Sequence, residues 1–290
     1  MYIRHHALQD LSVSNGQVLT DGGVPFDRVA YSRFKYGYAL PAVGYGRGLA
    51  ELIGPDLFDL AGSEPVRVVS APYKHLPTAS QVIAEALVGE LARMSVLTHQ
   101  IEPPKLVPFY KSRVGSGSYA KSSEADRLRS LATLGLRIDA SQIEGAHVLI
   151  VDDIRITGSA ERATAGFMET LNPRGVWYLH AARLPEQVGK LHPGLEDELN
   201  QTVGHTARDI LRDIATGDFR LNTRVLRHIL EYSESEFNLF TSSAPDTILR
   251  QMLYAALGNG VSYVRTHAAH VGLLSEEIDR REGKLAYAGT

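Results

Sequence analysis

The stretch "HVLIVDDIRITGSAE", residues 147–161, decides how the chain is read. Val148 to Val151 run without polar alternation, as expected of a central parallel strand covered on both faces. Two acids, Asp152 and Asp153, follow at the carboxyl end of that strand, where open parallel sheets bind their ligands. A loop holding Thr157, Gly158 and Ser159 then leads into a helical pattern over 159–172. The free N–H groups and the dipole at such a helix start favour a phosphate, hydroxyls add donors, and glycine lets the backbone approach closely. Acceptors suited to sugar hydroxyls therefore sit beside donors suited to a phosphate. A ribose 5-phosphate satisfies both.

Outward from this stretch, strand and helix patterns alternate. "VRVVSAP" (66–72) reads as a strand stopped by proline, and "TASQVIAEALVGELARM" (78–94) as the helix after it. "KLVPFYKSR" (105–113) reads as a second strand interrupted by Pro108, "SEADRLRSLATLG" (123–135) as a helix closed by glycine, and "GVWYLHAARLP" (175–185) as the strand after the central motif. This alternation predicts an α/β fold with a doubly wound parallel sheet over residues 61–185. Residues 1–60, rich in glycine and aromatics, read as loops or short strands leading to a helix near residue 45, an N-terminal lead-in or hood segment. Residues 186–290 carry helical patterns with little strand character and form a C-terminal helical region.

Composition limits the chemistry. The 290 residues contain no cysteine, which removes disulfides, zinc thiolates and thiol nucleophiles. The net charge of −3 is spread along the chain, so no global field recruits nucleic acid or an acidic membrane. No apolar run reaches the roughly 20 residues of a membrane span, and the start "MYIRHHALQD" has neither a basic nor an apolar leader region, so a cytoplasmic location is expected.

The 147–161 stretch resembles the PRPP-binding motif of type I phosphoribosyltransferases: an aliphatic strand, two acids, then a loop of Thr, Gly and Ser. The resemblance implies that fold, with Asp152 and Asp153 on the ribose hydroxyls and Ile156, Thr157, Gly158, Ser159 and Ala160 around the 5-phosphate. This chain has Ile156 and Ala160 where the family commonly places hydroxyl residues, and Arg155 or Arg162 could supply the missing donors. The loop "SAPYKHLPTAS" (70–80) occupies the place of the family's pyrophosphate loop, implying roles for Ser70, Tyr73 and above all Lys74. "KSRVGSGSYAKSSEADRLRSL" (111–131) looks like the mobile catalytic loop, with Lys111, Arg113 and Lys121 closing over pyrophosphate, and "SSEADRL" is similar to the competence-protein (ComF-like) branch. Trp177 and Tyr178 stand where the family often places an aromatic or apolar residue against an acceptor base; by period two they point to opposite faces, so the resemblance implies an acceptor stack for one of them and leaves at least one for the core. The implied reaction is transfer of 5-phosphoribosyl from PRPP to an unidentified small-molecule acceptor. Mg²⁺ would be held mainly by PRPP, with Asp152 and Asp153 as its protein contacts, and a homodimer is a common family state.

Other readings compete. "GSGSYAKS" (115–122) nearly matches a P-loop, which would make the protein a nucleotide hydrolase or kinase, but Ala120 stands where the anion nest needs glycine. A non-catalytic sensor of PRPP or nucleotides on the same fold is the other alternative. The pairs His5/His6 and His267/His270 lack an acidic ligand set and read as ordinary surface or core histidines. Arg208, Arg212, Arg224 and Arg227 read as a solvated helix face.

Overall fold

The computed structural model describes residues 1–99, 101–112 and 135–284. Its centre is a six-stranded sheet in the order β2-β1-β8-β7-β3-β4. The strands are β1 (Tyr2–Ser14), β2 (Gln17–Thr20), β3 (Val66–Ser70), β4 (Lys105–Leu106), β7 (His147–Arg155) and β8 (Gly175–Arg183). All neighbours run parallel except β1 and β2, which form an antiparallel hairpin. A two-stranded ribbon, β5 (Tyr110–Lys111) with β6 (Leu136–Arg137), stands apart from it. The expected second strand over 105–113 is thus split: Pro108 cannot donate to a ladder, and the chain changes sheets around it.

Each face of the sheet has its own cover. On one side Leu149, Val151, Trp177 and Leu179 pack with Leu49, Ile53 and Leu57 of α2 (Leu40–Ala61) and Ile83, Leu87 and Leu91 of α3 (Ser80–Met94). On the other, Val148, Ile150, Val176 and Tyr178 pack with Met168 of a later helix, α5 (Ser159–Glu169), which follows the short α4 (Ala140–Ile143). Alternate residues of β7 and β8 therefore enter opposite cores, which is why the aliphatic run of β7 shows no polar alternation.

The first 60 residues differ from the reading of a segment outside the core. β1 pairs in parallel with β8 from Tyr2 opposite Gly175 to Asp10 opposite Arg183, and Leu11, Val18 and Phe26 join the main core. Asn15 and Gly16, with φ of 49° and 74°, make the two-residue turn into β2. The expected helix near residue 45 is α2, which begins earlier than a lead-in of loops allows, and before it a second helix, α1, spans Arg28–Lys35, capped by Asp27, whose carboxylate accepts the Ala30 N–H at 2.9 Å. A Cβ on Gly46 would lie 2.6 Å from the Ile83 carbonyl oxygen, so this glycine serves the close crossing of α2 and α3 rather than a turn.

Beyond β8, α6 (Glu186–Leu191) and α7 (Leu195–Asn200) lead to α8 (Ala207–Ala215), α9 (Thr223–Leu230), α10 (Glu234–Ser243), α11 (Asp246–Gly258), α12 (Val261–Thr266) and α13 (Ala268–Arg281). Ile210, Val225, Phe237, Phe240, Leu249, Met252 and Leu274 build a separate core for this region, which also takes in Tyr36 from the end of α1. Among the described residues no helix is long and apolar enough to cross a membrane.

Candidate functional site

Asp152 and Asp153 stand near the carboxyl end of β7, and their surroundings divide them. Asp153 is 6% exposed and almost fully engaged. Its Oδ1 accepts the Ile154 N–H at 2.7 Å and the Tyr31 hydroxyl at 3.3 Å, and its Oδ2 pairs with the Lys35 ammonium. Burial alone would push its pKa up, but the charge and hydrogen bond of Lys35 hold it below the ordinary carboxylate range. Asp152 goes the other way: burial, then the neighbouring charge of Asp153, raise it. Its Oδ1 accepts the Asp153 N–H at 2.9 Å, and no described side chain hydrogen-bonds its other oxygen. Two carboxylates pushed apart in pKa by one site are suited to different tasks.

Lys111, on β5, is the second lysine near the pair. Burial lowers its pKa, and the charge of Asp152 works against that shift. The backbone explains its placement. Tyr73, in the loop after β3, donates its N–H to the Phe109 carbonyl at 3.1 Å and accepts the Lys111 N–H at 2.8 Å, while the Tyr73 and Tyr110 rings meet edge to face. The expected pyrophosphate loop and the ribbon are thereby laced together beside the acids.

The expected phosphate loop closes onto α5 through Gly158, whose φ of 70° is a left-handed conformation that glycine adopts at no steric cost. Thr157 and Ser159 are buried and hydrogen-bond to each other, Oγ to Oγ, at 2.8 Å. Ile156 is packed in the core. Two guanidiniums stand over the loop: a Cβ on Gly158 would lie 2.8 Å from the nearest Arg155 nitrogen and 3.3 Å from that of Arg162. Arg155 is fixed by Glu161, through Nε at 2.8 Å, and Arg162 reaches Glu186 at 3.8 Å. The two arginines stand where hydroxyls are lacking at Ile156 and Ala160.

Other expected site residues are placed differently. Lys74 donates to the Asn259 carbonyl at 2.9 Å, tying its loop to the end of α11. Ser70 is buried and donates to the Gln81 side-chain oxygen at 2.7 Å. Trp177 and Tyr178 are 0% and 2% exposed, which corrects the expectation that one of them stacks an acceptor. His6 stacks on Trp177, the Arg4 guanidinium lies 4.7 Å from its ring, and its N–H donates to the Tyr2 hydroxyl. The Tyr178 hydroxyl donates to the Glu161 carbonyl at 3.1 Å, and burial pushes its pKa up to about 12. Arg113, Lys121, the expected helix at 123–135 up to residue 134, and the P-loop-like 115–122 lie outside the described residues.

The sequence reading missed the residues that engage Asp153. Tyr31 and Lys35, four apart on α1, present one helix face to it. Glu196 on α7 lies 3.7 Å from Lys35, and Arg224 on α9 lies 3.9 Å from Glu196, so Arg224 turns toward the site and is not part of a solvated face. The available signal was a capped helix pattern starting at Asp27 with a tyrosine and a lysine at helical spacing. Nothing local announced its partner.

A family model described as PRTase ComF-like matches residues 13–274, and the chain belongs to this ComF-like phosphoribosyltransferase family. Solved structures similar to it include a hypoxanthine phosphoribosyltransferase with an invariant aspartic acid changed to alanine (17% identity, 51% of this chain and 80% of that chain, TM-score 0.36). The Leishmania donovani hypoxanthine-guanine enzyme is 18% identical over 50% of this chain and 70% of that chain, with a TM-score of 0.33. A variant of the Trypanosoma cruzi hypoxanthine enzyme, in complex with its product IMP, is 15% identical over 51% and 76%, with a TM-score of 0.35. No curated protein matches the chain.

Proposed function

We infer that this phosphoribosyltransferase takes PRPP as donor and transfers its 5-phosphoribosyl group to a nucleophilic acceptor. The observation that carries the reading is the sequence of groups leaving β7: a carboxylate pair, a left-handed glycine loop under two guanidiniums, and the N-terminus of α5. Backbone N–H groups there, with the Thr157 and Ser159 hydroxyls, would hold the 5-phosphate. Asp152, with one carboxylate oxygen that no described side chain hydrogen-bonds, would face the ribose.

In the reaction the bond from the ribose C1 to the pyrophosphate oxygen breaks, with its electron pair leaving on pyrophosphate. The acceptor forms the new bond to C1 and releases its proton. Positive charge grows on the sugar and negative charge on the leaving group, so an anion beside the ring and cations beyond it lower the barrier. Asp152, whose pKa is pushed up to about 8 and would be drawn down by a bound cation, would supply the first, and Lys111 part of the second. The donor set suits Mg²⁺ in one specific way: Asp153 is committed to protein donors, so the chain offers mainly Asp152. That fits an ion whose remaining ligands are PRPP oxygens and water. When bound, the ion would neutralise charge on the leaving pyrophosphate.

A binding-only role, sensing PRPP or nucleotides, is the second reading, and the prior commitment of Asp153 to Lys35 favours it. Pyrophosphate release separates the two. With PRPP, Mg²⁺ and a panel of nitrogen and oxygen nucleophiles, the enzyme reading expects release with at least one acceptor and a loss of about a hundredfold in Asp152→Asn. Binding without release from any acceptor would assign the sensor role.

A further inference from the structure

The geometry points to Lys35 as a positioning residue for this site: it holds Asp153 in place from α1, leaving Asp152 as the acid that meets the ligand. The inference rests on the phosphoribosyl reading above and divides the labour of its two acids.

Asp153 can accept about four hydrogen bonds, and three are taken by Ile154, Tyr31 and Lys35. Lys35 is itself buried, with its side chain 7% exposed, so each ion is the other's main compensation for lost hydration. The pair does not end there. Asp153, Lys35, Glu196 and Arg224 form a row of alternating charges from the end of β7 through α1 and α7 to α9. Asn222, the cap of α9, donates to the Lys35 carbonyl at 3.3 Å, and Arg33, two residues earlier on α1, pairs with Asp213 of α8. Two distant parts of the chain, β7 and α7, thus meet the ammonium that α1 presents, while Asn222 and Asp213 hold the end of α1 itself. A lysine fixed from both sides cannot follow a ligand, but it can keep a carboxylate from turning.

An ammonium on Asp153 admits an opposite possibility, that Lys35 occupies the ribose position and must leave before the donor binds. Calorimetry of PRPP with Mg²⁺ on the full chain distinguishes them. As a positioning residue, Lys35→Met should weaken binding by about tenfold or more, and Lys35→Arg should recover most of that loss. Because Lys35 acts through Asp153, Lys35→Met/Asp153→Asn should bind within about twofold of Asp153→Asn alone. That comparison also decides the matter if Lys35→Met does not fold, because the double variant carries no unpaired acid. Equal or tighter binding by Lys35→Met, an arginine variant as weak as the methionine one, or a further tenfold loss in the double variant would each overturn the assignment. A wild type that does not bind PRPP would instead defeat the phosphoribosyl reading itself.

Discussion

Gly189→Ala should lower stability by about 2–3 kcal/mol and weaken binding of a phosphorylated ligand by about tenfold or more. Gly189 lies on α6, where an added Cβ would stand 1.9 Å from the Ile156 carbonyl oxygen. That atom is backbone in the phosphate loop, so no side-chain rotation relieves the overlap. Either α6 lifts away or the loop moves, and in both cases the arginines over Gly158 lose their register, because Arg155 and Arg162 both lie within about 4 Å of Glu186 at the start of α6. Denaturant midpoints together with PRPP titration would measure the two effects. A variant with wild-type midpoint and affinity would show that α6 does not brace the loop.

Trp177→Ala should cost about 3–5 kcal/mol, the usual range for deleting a large aromatic from a packed interior. Trp177 is the largest fully buried side chain, with His6 and Arg4 against its ring. Trp177→Phe keeps most of the volume but loses the N–H bond to Tyr2, and should cost about 1–2 kcal/mol. The phenylalanine variant also separates core from acceptor roles. Its PRPP affinity and acceptor dependence should match the wild type when measured below its melting range. A changed acceptor preference would restore Trp177 to the acceptor site and contradict its placement in the core.

The parts of the fold legible in the sequence are those whose signal is local. The unbroken aliphatic run of β7, the Thr-Gly-Ser loop and the helix behind it state their own structure, and so do the amphipathic helices after Pro185. In the N-terminal segment the helix near residue 45 was legible, but the strand β1 and the helix α1 were not. Asn15-Gly16 marks a hairpin, but β1 becomes a strand only by pairing with β8, more than 160 residues away. The glycines of α2 lower its helix propensity, yet Gly46 is there to let α3 approach, and tertiary contact extends the helix beyond what local preference supports. The site shows the same division. The acids and the loop were visible as a motif, whereas Lys35, Glu196 and Arg224 reach them across 118 positions or through separate helices, and spacing carries no trace of such partners. Trp177 and Tyr178 were placed by analogy with a strand position, and alternation allowed one to be free. Both proved buried because β8 is covered on each face, by different cores.

The central claim is that a sugar and its phosphate are bound side by side at the end of β7. Isothermal calorimetry of PRPP with Mg²⁺ tests it, comparing the wild type with Asp152→Asn/Asp153→Asn after both are shown to be folded. The account predicts measurable binding by the wild type and a loss of about a hundredfold, about 2.7 kcal/mol, in the double variant. Equal affinity in the two proteins would contradict it.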